Sequence, residues 1–268
     1  MKDRLYIASI SRDASELAKK YGIGLELDQY CTARNMEAPY FDKTNRQVRK
    51  EIEIAGNPPL ILHAPFNELY PAAIDPAVRE IAVMRYEQAF HLTRNIVQNR
   101  QSSHPCQNKP IEKMVVHSGF VPQIYFKEWQ HDRALEFWKA YMQDKPPAFT
   151  ICVENVMEEE PYSLTRLAEE LNQKNIRLCL DIGHANRQGD VPLSEWIEVM
   201  APYISHVHIH NNNGIDDEHN ALEDGTIEMT KILEKLLLRC EEKTTFTIES
   251  LDGRRSLEWL DKEGYLKG

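Results

Sequence analysis

The feature that most constrains this chain is an alternation repeated eight times. Short apolar, β-branched runs at 5–10, 23–27, 60–64, 114–118, 149–154, 176–182, 205–209 and 245–249 are separated by longer amphipathic stretches. In the stretch 75–100, Ile81, Met84, Phe90, Ile96 and Val97 recur near a 3.6-residue period. Its Asp75-Pro76 start offers an N-cap followed by proline in the first turn. The stretch 162–173 puts Leu164, Leu167, Ala168 and Leu171 on one face, with Ser163 as the cap, and 226–239 does the same with Ile232, Leu233, Leu236 and Leu237.

Strand–helix alternation produces βα units and a parallel sheet, because each helix carries the chain back to start the next strand in the same direction. Eight such units in 268 residues match a closed barrel, which takes about 250. An open doubly wound sheet is the poorer fit, since no GxGxxG follows the first run. No linker, low-complexity tract or composition break divides the chain. The expectation is an α/β fold, a (β/α)8 TIM barrel, with residues 1–268 forming one domain. The polar stretch 99–109 follows a helix and precedes a strand, so it reads as a surface insertion on the face opposite the chemistry.

Composition narrows the partners. There are 42 acidic side chains against 32 Lys and Arg, a formal charge of −10. Proteins that grip a DNA backbone do so with Lys and Arg, so a small ligand is the better expectation than nucleic acid. The five cysteines, Cys31, Cys106, Cys152, Cys179 and Cys240, are odd in number and contain no CxxC, which is neither a disulfide framework nor a zinc finger. Reduced thiols in a cytoplasmic protein are the expectation. No window approaches 18 continuous apolar residues, and the first residues contain no signal-peptide core.

In a barrel of this kind chemistry collects where strands end and the next loops begin. The third run ends in His63 (LILHAPF), the fourth in His117 (MVVHSGF) and the fifth in Glu154 (ICVEN). The sixth gives Asp181 and then His184 (CLDIGHA), and the seventh gives His208 (HVHIHNN). The loop after it carries Asp217 and His219 (DDEHN), and the eighth run ends in Glu249 (TIES). Singly, each has an ordinary explanation as a loop histidine, an ion-pair carboxylate or an Asx turn. Together, four carboxylates in one mouth repel each other unless a cation compensates. Histidine with Asp and Glu is the ligand chemistry of a divalent metal.

Other residues stay ambiguous on spacing alone. His206, His208 and His210 share one strand face, and spacing favours His208 only modestly over His210. Cys152 and Cys179 fall one layer, roughly 6–7 Å, below Glu154 and Asp181 and read as small core filler. Glu26 ends the second run and either binds substrate or joins an ion pair. Tyr30, Tyr40, Phe41 and Phe66 are either pocket walls or loop anchors. Arg254 and Arg255 either meet a phosphate or cap the final helix.

HAPF, VVHSG, VEN, LDIGH, HVHIHNN, DxH and the terminal IES together resemble the xylose isomerase-like TIM-barrel superfamily, over about residues 23–249. That superfamily includes sugar isomerases and epimerases and the endonuclease IV-type apurinic endonucleases. Its His-apolar-x-Asp/Asn pattern falls on His208-Ile209-His210-Asn211 and so selects His208. The epimerase-like branch implies one divalent ion, often Mn2+, on Glu154, Asp181, His208 and Glu249. Glu154 and Glu249 would then exchange a proton with the substrate carbon beside a polarised carbonyl, and His184 would contact a substrate hydroxyl or oxyanion. The endonuclease-like branch implies two further ions, usually Zn2+, one on His63, His117 and a bridging Glu154, the other on His184, Asp217 and His219. The cofactor expectation is therefore one to three ions of Mn2+ or Zn2+.

The loops favour the first branch. Loop 30–42 offers one basic residue, Arg34; loop 65–75 offers none; loop 211–225 offers none and has five acids. A DNA-reading face carries basic residues at those positions. The expectation is a metal-dependent isomerase or epimerase acting on a sugar, sugar phosphate or related polyol, with a zinc phosphodiesterase of the endonuclease IV kind as the alternative.

Overall fold

The computed structural model describes residues 1–98 and 111–267. Eight strands, β1 Leu5–Ala8, β2 Gly24–Leu27, β3 Leu60–His63, β4 Lys113–His117, β5 Thr150–Glu154, β6 Ile176–Asp181, β7 Ile204–Ile209 and β8 Thr245–Ile248, close into a barrel in chain order. All are parallel, and β8 returns to pair with β1. The α-helices are α1 Ala14–Tyr21, α2 Phe41–Ile54, α3 Pro76–Gln98, α4 Lys127–Met142, α5 Tyr162–Leu171, α6 Ile182–Gln188, α7 Leu193–Met200, α8 Met229–Arg239 and α9 Gly253–Lys262. The (β/α)8 expectation holds. One unit departs from a single helix per crossover: α6 and α7 both follow β6.

Strand periodicity divides the side chains into two populations. Outward-facing Leu25, Leu62, Val116, Val153, Leu180 and Val207 join the helices in the main core. Inward-facing Tyr6, Ile61, Val115, Cys152 and Cys179 form a small separate cluster inside the barrel, so both cysteines are the core filler their spacing implies. Glycine suits position 24, since a Cβ there would come within 2.7 Å of three atoms along the Tyr6 ring edge. Below this cluster Lys113 Nζ donates to Ser205 O (2.6 Å) and Thr245 Oγ1 (2.7 Å), closing the floor.

Two local readings need correction. The buried face of α3 is Ala82, Tyr86, Ala89, Thr93 and Ile96, while Ile81 and Met84 are exposed. Ile96 is packed as its period implies, with Leu92 buried beside it and Phe90 against the core, while Ala82, Tyr86 and Ala89 occupy the turns for which the periodicity names Ile81 and Met84. Ser163 does not cap α5; Glu160 does, its carboxylate accepting from Tyr162 N (2.6 Å) and Ser163 N (3.3 Å). Asp75 caps α3 as expected, accepting from Ala77 N (2.8 Å). The stretch 99–109, Cys106 and the side chain of Val97 lie outside what is described. Cys31, Cys152, Cys179 and Cys240 are free thiols. No described helix is long and apolar enough to cross a membrane.

Candidate functional site

The barrel register carries the sequence motifs to one end. His63, His117, Glu154 and Asp181 are the last residues of β3, β4, β5 and β6; His208 lies in β7, and Glu249 directly follows β8. Parallel pairing sets His117 beside Glu154, and Asp181 beside His208. His184 enters from α6, whose start is fixed by Asp181: the carboxylate accepts from His184 N at 2.6 Å. Asp217 and His219 come from the loop before α8, pinned by an antiparallel bridge between Asn211 and Asn220. His219 takes φ 50°, a left-handed conformation uncommon outside glycine, and is held there because Leu251 N donates to its carbonyl (2.9 Å).

All nine sequence-identified residues meet at this mouth, in three groups, two of which share Glu154. Glu154 Oε2 faces His63 Nε2 (3.3 Å) and His117 Nε2 (3.6 Å). Its other oxygen, Oε1, faces His208 Nδ1 at 3.4 Å. Around that same nitrogen stand Asp181 Oδ2 (3.6 Å) and Glu249 Oε2 (3.3 Å). Asp217 Oδ2 lies 3.2 Å from both His184 Nε2 and His219 Nε2. His63, His117 and Glu154 bring donor atoms within 4.8 Å of one another, as do His184, Asp217 and His219.

These positions fit a divalent ion. His208 Nδ1 and Asp181 Oδ2 are buried without a hydrogen-bond partner, and an unsatisfied buried polar atom is costly. Asp181 Oδ2 and two further carboxylate oxygens, of Glu154 and Glu249, stand 3.3–3.6 Å from His208 Nδ1. Three carboxylate oxygens gathered around one histidine nitrogen, largely out of water, are the chemistry of a cation site. The deeper trio of Cys179, His206 and His208 also comes within 4.8 Å. His206 has no nitrogen to spare there, since Nδ1 is bonded to Thr245 Oγ1 (2.6 Å) and Nε2 to Glu26 Oε2 (3.0 Å).

Neighbouring groups hold these side chains in place. Asn155 clamps the Asp181 backbone, donating to its carbonyl (2.9 Å) and accepting from its amide (2.9 Å). His210 Nε2–H donates to Asp181 Oδ1 (3.2 Å), and its ring stacks on His219 with centroids 4.0 Å apart. Glu26 accepts from His208 Nε2–H (3.1 Å), which makes it an ion-pair partner rather than part of the open mouth. The parity of β2 and β7 was the available signal for Glu26; nothing in the sequence pointed to His210's contact or to Asn155's clamp. Asp28, one layer above Glu26 on the same face, was also missed: its Oδ2 accepts from Ser9 Oγ (3.1 Å) while Oδ1 is buried without a partner.

The charges respond to this crowding. Burial opposes ionisation of Glu154, yet His208 and His117 hold its carboxyl well below the usual range. Burial dominates at Glu249 and pushes it up to about 8. Burial, then the neighbouring His63 and His184, push His117 down to about 3 despite Glu154. At His219 burial is outweighed by Asp217 and Glu249, which raise it to about 9.

The aromatic expectations divide. Phe66 stacks on His117 (4.2 Å, 8°) and meets His63 edge-on (5.6 Å), so it walls the site. Tyr30 is fully buried in the core, and Phe41 opens α2 and packs against that core. Tyr40 lies under the Arg34 guanidinium (3.9 Å). These three are loop anchors. Arg254 and Arg255 sit at the start of α9, not its end, and are paired with Asp13 (3.1 Å) and with Glu223 (3.1 Å) and Asp224 (3.3 Å). Lys127 bonds Glu160 (3.0 Å) and Arg187 donates to Ile215 O (3.0 Å). Arg12, between β1 and α1, is an exposed rim cation.

Residues 15–262 match the model of a family described as xylose isomerase-like TIM barrel. An uncharacterized protein of Methanocaldococcus jannaschii is 28% identical over 220 residues, 77% of this chain and 68% of its own. Among solved structures, a Thermus thermophilus protein soaked with ZnCl2 superposes with a TM-score of 0.74 at 21% identity, covering 99% of this chain and 98% of that one. A D-tagatose 3-epimerase-like protein gives 0.72 at 22%, covering 98% and 96%. The D-psicose 3-epimerase of Clostridium cellulolyticum gives 0.68 at 14%, covering 98% and 99%. At these identities the structural likenesses establish the shared barrel. The family match runs from α1 into α9, and on that basis the chain belongs to the xylose isomerase-like TIM-barrel family.

Proposed function

We propose that this protein is a metal-dependent isomerase or epimerase acting on a small carbohydrate, a sugar, sugar phosphate or related polyol. The observation that carries the reading is the pair Glu154 and Glu249. They reach the same His208 nitrogen, at 3.4 and 3.3 Å, from strands β5 and β8. Glu154, Asp181, His208 and Glu249 would hold the ion. When bound, a divalent ion supplies polarisation of a substrate carbonyl, which acidifies the adjacent C–H. Glu154 and Glu249 flank that carbon from different walls; one carboxylate takes the proton and the other returns it, on the opposite face for epimerisation. His184 Nε2 meets a substrate hydroxyl, and Phe66 shields the site beside His117. D-tagatose 3-epimerase-like, D-psicose 3-epimerase and L-ribulose 3-epimerase structures among the neighbours support a ketose as the substrate class.

A second reading has its own observation. The nine residues divide into three donor groups, two of them sharing Glu154, which suits two or three Zn2+ and phosphodiester hydrolysis. Against it stands the rim, where Lys127, Arg187, Arg254 and Arg255 are already engaged within the chain and Arg12 is left as a single exposed cation among these five. A phosphate backbone needs free cations. The test is to load the protein with Mn2+ or Zn2+ and assay it in parallel on ketoses and on a duplex with an abasic site. Ketose conversion lost in Glu249→Gln supports the proposal. Cleavage of the duplex without sugar conversion replaces it with the second reading.

A further inference from the structure

Three histidines of the mouth are held alike. His63, His184 and His219 each donate Nδ1–H to a backbone carbonyl, of Ala64 (2.9 Å), Asn155 (3.0 Å) and Glu249 (2.8 Å), and present Nε2 to a carboxylate. His208 is inverted. Its Nε2 faces Glu26 Oε1 (3.1 Å), and Nδ1 is the nitrogen turned toward Glu154, Asp181 and Glu249.

We infer that Glu26 is the positioning residue that makes Nδ1 of His208 the metal-facing nitrogen; the inference rests on the proposed role of His208 as a ligand. The cause lies in the strand. His63 ends its strand, and His184 and His219 stand outside strands, where nearby carbonyls are free to accept. His208 lies inside β7, paired on one side with Asp181 and on the other with Thr247, so its local carbonyls serve the ladders. The acceptor has to come from a side chain across the barrel, and Glu26 on β2 supplies it.

Glu26 is itself fixed. Its Oε2 accepts from His206 Nε2–H (3.0 Å) and from the Thr247 hydroxyl. His206 Nδ1 takes the Thr245 hydroxyl proton (2.6 Å), and Thr245 Oγ1 accepts from Lys113 Nζ (2.7 Å). The donors therefore run in one consistent direction from the barrel floor to Glu26. Glu26, His206 and His208 are fully buried, so no water competes for these bonds. A carboxylate on the far nitrogen fixes the ring orientation and strengthens the ligand nitrogen, and losing such a partner weakens metal binding about 10–100-fold.

The experiment measures Zn2+ affinity by chelator competition for the wild type, Glu26→Leu, Glu26→Gln and Thr247→Val. Alongside it, 1H–15N spectra of the zinc-loaded proteins follow the His208 Nε2–H. The expected result is a loss of about 10–100-fold in Glu26→Leu, with the protected Nε2–H signal gone. Glu26→Gln keeps an oxygen without the charge, so it retains the signal and falls between. Thr247→Val loses less. Removal of Asp217 marks binding by the His184–Asp217–His219 group, which none of these variants should change. If Glu26→Leu does not fold, the other two carry the test. Wild-type affinity in every folded variant overturns the inference. A wild type that binds no zinc through His208 overturns the ligand reading itself.

Discussion

Gly183 lies in the LDIGH motif, and the structure gives it a steric reason that its backbone does not. It sits in the first turn of α6 and lies outside the positive-φ region. On helix propensity alone, Gly183→Ala should stabilise by about 1 kcal/mol. Yet an added Cβ would overlap the His210 ring, with Nδ1 at 2.6 Å and two further ring atoms closer. Carbon atoms need about 3.5–4.0 Å. His210 has no room to retreat, being fully buried and stacked on His219 at 4.0 Å. Overpacking costs about 1–3 kcal/mol. Displacing His210 also loses its 3.2 Å hydrogen bond to Asp181, worth about 1.5–3 kcal/mol for a charged acceptor. Offset by the helix gain, the net loss is about 1.5–5 kcal/mol, or about 3–20 °C in Tm for a chain of this size. Thermal unfolding of the metal-free protein reads the stability, and chelator competition reads the Asp181-containing site, which should weaken as well. A Tm equal to or above the wild type refutes the steric account.

Three further outcomes follow from the same geometry. Burial raises Glu249 to about 8 in the metal-free protein, so the folded state prefers its protonated form. Stability from this group is full below about 4.5 and is lost as pH rises through about 8; in EDTA, Glu249→Gln should therefore lose less stability than the wild type over that interval, as urea titrations at several pH values would show. Phe66→Ala removes the stack on His117, worth about 0.5–1.5 kcal/mol, and should weaken metal binding by the His63–His117–Glu154 group roughly two- to tenfold without affecting the His184–Asp217–His219 group. Because Glu154 serves two groups and Asp217 one, Glu154→Ala should lower the zinc content measured by elemental analysis more than Asp217→Ala; equal losses would break the picture of a shared carboxylate.

The barrel was legible because its information is local and repeated: each β-branched run and each following amphipathic stretch specifies its own element, and eight of them leave one closure. The strand-end residues were legible for the same reason, since a barrel puts all strand ends on one face. What sequence could not supply was direction across the barrel. Glu26 meets His208 only because β2 and β7 face each other through the interior, and His210 reaches Asp181 only because Gly183 leaves space for its ring. Helix faces failed where packing depends on size rather than apolarity, as at Ile81 and Met84. The sequence leaves Arg254 and Arg255 between a phosphate contact and a helix cap because their acidic partners, Asp13, Glu223 and Asp224, come from other segments of the chain.

The central claim is proton transfer at a carbon beside a carbonyl, and solvent isotope uptake tests it most directly. Metal-loaded protein is incubated in D2O with a panel of ketopentoses, ketohexoses and their phosphates, and 1H NMR follows the C–H positions next to the carbonyl. The account predicts loss of one such proton signal as deuterium enters from solvent, alongside appearance of the epimer or aldose, and neither in Glu249→Gln. Full retention of every such proton, in protein shown to carry its metal and to cleave an abasic-site duplex, would contradict it.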